Sequence, residues 1–274
     1  MPSGEDMIER EDQMLRTIQV PSHPHRIISL VPSQTELLYD LGLGDRVVGI
    51  TKFCVHPEAW FRTKPRVGGT KKVDIDKVRA LKPDLIIGNK EENERADIEA
   101  LDREFPVWMS DVRDLPSALD MIRRTGELTG TSAKANELAT DIEARFSAVR
   151  PLSPALSAAY FIWREPLMVA GGGTFINDML ARCGMENAFG HRAERYAEVT
   201  PAELATADPE VILLSSEPYP FAEKHIADFN MICPGTLVRL VDGEFFSWYG
   251  SRLLKTPAYL QGMIAGLDMD TPPA

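Results

Sequence analysis

An internal repeat constrains this chain more than any other feature. Asp74–Ile87 reads DIDKVRALKPDLII and Thr200–Leu213 reads TPAELATADPEVIL, so a capped helix, a Pro-acid turn and an apolar strand recur 126 positions later. A looser match pairs Glu36–Gly42 with Asn177–Gly184, each a helical stretch ending at glycine. Self-similarity over so long a period predicts two related halves. The 274 residues hold two lobes of ordinary size, at about 150 residues per domain.

Short apolar runs alternate with helical patterns in both halves. Ile27–Val31, Val47–Ile50, Leu85–Ile87 and Val107–Met109 read as buried strands in the first. Ala159–Trp163, Leu167–Ala170, Val211–Leu214 and Leu237–Val241 read alike in the second. Strands separated by helices predict an α/β fold with mainly parallel sheets. Ser33-Gln34-Thr35-Glu36 and Thr200-Pro201-Ala202-Glu203 both read as capping boxes that start helices. From Ser117 to Val149 there is neither proline nor a β-rich run, which predicts one long helix joining the lobes. The expected organisation is an N-terminal extension over 1–24, a first lobe over 25–116, the connecting helix over 117–150 and a second lobe over 151–274.

Thirty basic against 41 acidic side chains leave a formal charge of −11. That balance argues against a nucleic-acid partner, whose affinity rests on clustered Lys and Arg. No uninterrupted apolar run is long enough for a membrane span. Residues 1–16 carry no basic start followed by an apolar core, so the expectation is a cytosolic protein with reduced thiols. A mature chain, or one with a different start, would instead be periplasmic.

In open parallel sheets, ligands bind beyond the carboxyl ends of the strands. There the sequence places Lys90, Glu91, Glu92 and Asn93 after one strand, with Glu217 and Tyr219 after its repeat counterpart. Cys54 and His56 follow a third strand; if that segment is extended, both point the same way and offer two soft-metal ligands. Trp163-Arg164 and Trp248-Tyr249, with Arg252, bring rings and cations to the second half, suited to a large, flat, partly apolar ligand. Gly171-Gly172-Gly173-Thr174 lacks the spacing of a nucleotide-binding loop.

Arg26–Leu38 (RIISLVPSQTELL), Val47-Val48-Gly49 and Ala80–Ile87 (ALKPDLII) resemble the helical-backbone periplasmic-binding family, the substrate-binding proteins of cobalamin and Fe(III)-siderophore ABC importers. The similarity runs from about Arg26 to Leu267 and is greatest toward the cobalamin branch. It implies two α/β lobes on a backbone helix with the ligand in a cleft between them. It also implies an ABC-transporter permease as partner, met by an acid on each lobe: Asp76 matches the first, and Glu244 and Ser247 both lie near the second. The aromatic residue of the cobalamin receptors' first lobe is replaced by Gly68-Gly69-Thr70-Lys71-Lys72. The leading expectation is therefore a binder of a metal chelate (a corrinoid, a siderophore or haem) that needs no resident cofactor. The alternative is a cytosolic metal-dependent enzyme, or a metal-ion-binding protein, using Cys54, His56 and the carboxylates Glu91, Glu92 and Glu217.

Overall fold

The computed structural model describes residues 6–270, and their side chains as far as residue 267. The chain divides into two compact units. The first takes the chain up to Val112, then Pro116–Glu143 and Tyr249–Arg252; the second takes Arg113–Leu115, Ala144–Trp248 and the chain from Leu253.

Unit 1 starts with a hairpin, β1 (Met7–Glu11) and β2 (Thr17–Pro21). Then come β3 (Ile27–Ser29), α1 (Pro32–Asp40), β4 (Val47–Ile50), α2 (Glu58–Thr63), α3 (Ile75–Leu81), β5 (Leu85–Asn89), α4 (Arg95–Asp102) and β6 (Val107–Ser110). A helical pair follows, α5 (Leu115–Thr129) and α6 (Ser132–Ser147), whose last turn belongs to unit 2. The sheet has the order β4-β3-β5-β6, every pair parallel. Its strands are buried on both faces, as helix-covered parallel strands are.

Residues expected as a separate extension are built into this unit. The hairpin turn lies on the free edge of β6, with Gln13 N–H donating to Met109 O at 3.0 Å. Fully buried Asp12 organises it, accepting from the Met14 and Arg16 amides at 2.9 Å, Arg16 Nε at 2.8 Å and the Met109 amide at 3.3 Å. Covering an edge this way removes a row of open ladder groups.

The expected single connecting helix is two helices. Gly130 at the end of α5 has φ +70°, and Thr131 N–H donates to Gly126 O at 2.7 Å, five residues back. That is a Schellman stop, which an L side chain at position 130 would strain. A Cβ on Gly126 would come within 2.3 Å of Ala135 Cβ, so glycine there lets α6 fold back against α5.

Unit 2 contains β7 (Leu156–Trp163), β8 (Met168–Ala170), α7 (Phe175–Arg182), β9 (Met185–Asn187), β10 (Tyr196–Glu198), α8 (Pro201–Ala207), β11 (Val211–Ser215), α9 (Ile226–Ile232), β12 (Leu237–Val241), α10 (Glu244–Ser247) and α11 (Thr256–Asp270). Its sheet runs β10-β8-β7-β11-β12, with β9 also on β7. The β7, β11 and β12 pairings are parallel, while β8 turns back antiparallel on β7 and β10 on β8. Phe161, Phe189, Leu214 and Phe229 fill the core on one side of it.

The repeat holds in detail. Asp74 caps α3 by accepting from Lys77 N–H, and Thr200 caps α8 by accepting from Glu203 N–H. Both helices stop on a left-handed residue, Lys82 (φ 46°) and Asp208 (φ 40°), 126 positions apart and each followed by proline. Gly42 and Gly184 likewise end their helices at positive φ. The box expected at Ser33–Glu36 does not form, because α1 starts two residues earlier than such a box requires, at Pro32, with Val31 as N-cap. Glu36 is thereby carried past the first turn, to an ion pair with Arg252.

Candidate functional site

The carboxyl end of the unit 1 sheet is floored by buried polar side chains. Thr35 Oγ1 donates to Ser29 Oγ at 2.7 Å and lies 3.1 Å from Cys54 Sγ; Thr51 Oγ1 lies 3.2 Å from the same sulfur. On the other side Gln34 Nε2 and Asn89 Nδ2 donate to Ser110 Oγ, at 2.5 and 2.9 Å. Asn93 accepts from Asn89 N–H at 2.8 Å and donates to Thr70 O at 3.1 Å. Buried Asn93 is therefore a stitch between two loops.

The soft-metal geometry drawn from Cys54 and His56 is not found. The segment turns instead of extending, with Cys54 N–H on Thr51 O at 3.2 Å and Val55 N–H on Phe53 O at 2.9 Å. Cys54 is fully buried, and desolvation pushes its thiol pKa up, with the Glu92 charge adding to the rise. A thiol held protonated is a poor ligand, since metals take the thiolate. Among the described residues no three His, Cys, Asp or Glu side chains are grouped to hold a metal ion.

Above this floor the loops form a rim that the sequence reading largely missed. Lys52 N–H donates to Gly68 O at 2.8 Å and ties the loop after β4 to the turn 69–72. Phe53 is half exposed, Val55 is 39% exposed, and Lys52 Nζ stands 4.9 Å over the Phe53 ring. A Cβ on Gly69 would lie 3.2 Å from that ring, so the bare turn makes room for Phe53. An exposed ring thus stands beside the bare Gly68–Lys72 turn, on the neighbouring loop.

Of the candidates after β5, Lys90 pairs with Asp111 at 3.0 Å. The Glu91 and Glu92 amides both donate to Asn89 Oδ1, at 2.8 and 3.1 Å, and Glu91 O accepts from Lys71 Nζ. Desolvation raises the pKa of the partly exposed Glu92, against the pull of Lys71. The folded protein then binds that proton more tightly than the unfolded chain. Stability therefore falls as pH rises from the ordinary glutamate range through the raised folded value. Glu92→Gln is expected to be more stable than wild type at about pH 8, the difference vanishing toward pH 4, below the usual glutamate value of about 4.3. Urea unfolding of both proteins across that range reads the effect.

In unit 2, Trp163 and Tyr219 meet edge to face, ring centroids 5.7 Å apart, and Tyr219 packs on Phe221 at 4.8 Å. Trp163 remains 39% exposed. His225, not anticipated, stands beneath: its Nδ1 accepts from Ala222 N–H at 2.9 Å, which places the ring proton on Nε2, 3.4 Å from Tyr219 Oη. Burial lowers the His225 pKa, with Lys224 and Arg164 contributing. Arg164 pairs with Asp228 at 2.8 Å and Glu165 at 2.9 Å, and the Asp228 hydrogen bond is the main cause of its raised pKa.

Several expected ligand contacts have structural partners. Glu217 Oε1 accepts from Ser247 Oγ at 2.6 Å and from Trp248 Nε1 at 2.9 Å, fixing α10. Trp248 and Tyr249 are buried, leaving no open ring face. In unit 1, Arg252 forms a two-pronged ion pair with Glu36, Nε and Nη2 each 2.9 Å from a carboxylate oxygen. Gly171 and Gly172 serve backbone packing, since a Cβ on Gly172 would come within 2.1 Å of Gly190 O. An apolar groove in unit 2 lies along β12 and α11, between Leu240, Tyr259 and Met263, and not at the strand-end loops. No helix among the described residues is long and apolar enough to cross a membrane.

Comparison with known proteins agrees with this architecture. The vitamin B12-binding protein of Pectobacterium carotovorum subsp. carotovorum is 25% identical over 237 residues, 84% of this chain and 85% of that protein. The periplasmic vitamin B12-binding protein BtuF of Vibrio cholerae superposes with a TM-score of 0.71 at 21% identity, over 89% of this chain and 98% of that one. The periplasmic haem-binding protein BhuT, solved with two haems, gives 0.77 at 22% identity, over 88% and 98%. A periplasmic binding protein family model matches residues 27–230. Three-quarters of the sequence thus lies within one family, and the chain belongs to the periplasmic binding proteins.

Proposed function

We propose that this protein is the substrate-binding component of an ABC importer and that its ligand is a metal chelate of the corrinoid, haem or siderophore kind. The observation that carries the reading is the family match over 27–230, with relatives named for vitamin B12 and haem. That match also favours binding over the enzyme alternative. The exposed rings Phe53 and Trp163, each at the carboxyl end of its own sheet, offer flat apolar surface to such a ligand. Each unit carries its own polar candidates, Lys90, Glu91 and Glu92 in unit 1 and Arg164 and Tyr219 in unit 2. The chelate is cargo, not a cofactor.

A permease is the partner that follows from this role. Asp76, its side chain 89% exposed on α3 and paired with Arg79, and Glu244, in the first turn of α10, are the proposed docking acids. The relatives named as periplasmic support the second of the two locations set out above.

A ligand present at 100 times its Kd adds about 2.7 kcal/mol to stability. Thermal unfolding with hydroxocobalamin, hemin and a ferric siderophore should therefore show a rise of several degrees with at least one of them. A melting temperature unmoved by all three, with no change in their visible spectra, would refute the reading.

A further inference from the structure

The charge of this acidic chain is unevenly distributed. Residues 52–90 hold ten Lys and Arg against four Asp and Glu, while the whole chain stands at −11. Most of those ten are accounted for by local partners. Arg62 pairs with Glu58, Lys77 with Asp74, Arg79 with Asp76 and Glu104, Lys71 with Glu94 and Lys90 with Asp111. Lys64 Nζ donates to Gly44 O, and the Arg66 guanidinium lies over the Phe61 ring.

Lys52, Lys72 and Lys82 are exposed and have no carboxylate partner among the described residues; Lys82 ends α3 just before β5, at the amino end of the sheet, which leaves Lys52 and Lys72. Both belong to the rim: Lys52 stands over Phe53, and Lys72 closes the turn opposite Gly69, its carbonyl accepting from Gly69 N–H at 2.8 Å. Gly69 in turn lies against both Phe53 and the Lys52 side chain. An uncompensated cation over an exposed ring, with a second exposed lysine on the adjoining turn, suits a ligand with a flat apolar body and anionic oxygens on its periphery. Cobalamin carries amides around its corrin ring and a single phosphodiester in its nucleotide loop, so it offers two ammonium groups less counter-charge than a chelate with several carboxylate or catecholate oxygens.

We propose that the unit 1 rim selects an anionic chelate, with Phe53 against its ring system and Lys52 and Lys72 on its carboxylate or catecholate oxygens. This rests on the chelate-binding reading above and narrows it. Porphyrin propionates and siderophore catecholates share the chemistry, so the test carries one of each.

Full-length wild type and Lys52→Glu/Lys72→Glu are titrated with hemin, a ferric tricatecholate and cyanocobalamin, followed by tryptophan fluorescence at low and high salt. A distal double reversal, Arg150→Glu/Lys255→Glu, makes the same change in net charge at exposed positions, and circular dichroism confirms folding of each variant. Wild type should bind hemin or the tricatecholate at least tenfold more tightly than cyanocobalamin. The rim reversal should weaken that binding at least tenfold and flatten its salt dependence, while the distal reversal leaves both unchanged. Lys52→Gln/Lys72→Gln should give an intermediate loss. Tightest binding of cyanocobalamin, or equal effects of rim and distal reversals, would overturn the proposal and leave the chelate-binding role standing. Binding of none of the three would overturn both.

Discussion

Arg252→Ala is expected to destabilise unit 1 by about 3 kcal/mol, the low end of what removing one partner from a buried ion pair costs, because this pair is largely but not fully buried. The Arg252 and Glu36 side chains are only 10% and 14% exposed, and both prongs of the pair are 2.9 Å long. Without the guanidinium, the largely buried Glu36 carboxylate loses both hydrogen bonds of the pair. Urea denaturation gives the loss directly. Replacing both partners, Glu36→Leu with Arg252→Leu, should cost much less, because no unpaired charge remains. Equal destabilisation by the single and double changes would mean that packing, not charge pairing, holds Tyr249–Arg252 on α1. A Cβ on Gly250 would come within 2.7 Å of Ser33 O, so that segment also depends on close backbone approach.

Asp12→Ala should cost about 3 kcal/mol or more, because an unmet buried donor costs about 1–3 kcal/mol and this change orphans several. The amides of Met14, Arg16 and Met109 and the Arg16 guanidinium all donate to Asp12. The hairpin should also loosen from β6, so hydrogen exchange at Met109 and Gln13 should accelerate beyond the global average. Destabilisation with unaltered exchange there would place the role of Asp12 within the hairpin alone.

How much of this was legible depended on whether the governing interaction was local. The two helix-turn-strand units were readable because each is specified by neighbours: Asp74 or Thr200 as cap, a left-handed stop, then proline and an apolar strand. The eight apolar runs all became strands, though β8 returns antiparallel as a short hairpin that no residue pattern distinguished. The connector reads as one helix because no proline or β-rich run interrupts 117–149, and the break falls instead at Gly126 and Gly130. Their actual work, a Schellman stop and a close approach to Ala135, is set by tertiary packing. The first lobe's β1–β2 hairpin was invisible for a similar reason: its anchor, Asp12, bonds to a strand 97 positions away.

The site divided along the same line. Of the residues expected in loops beyond strand ends, Trp163 and Tyr219 do meet. Arg252 was assigned to a ligand because Glu36, 216 positions distant, could not be foreseen as its partner. Trp248 was assigned likewise, and it hydrogen-bonds Glu217 across 31 positions. Phe53 was overlooked beside Cys54, although the strand-end rule that singled out the cysteine applied equally to its neighbour. The exposed ring and the bare glycine turn next to it became one feature only once folded.

The central claim is that the protein binds a chelate reversibly and specifically. Equilibrium dialysis against hemin, a ferric tricatecholate and hydroxocobalamin tests it most directly. The account predicts saturable, stoichiometric retention of at least one, with a Kd of about 1 μM or tighter, equivalent to about −8.2 kcal/mol. Ligand concentrations that stay equal on both sides of the membrane for all three would contradict it.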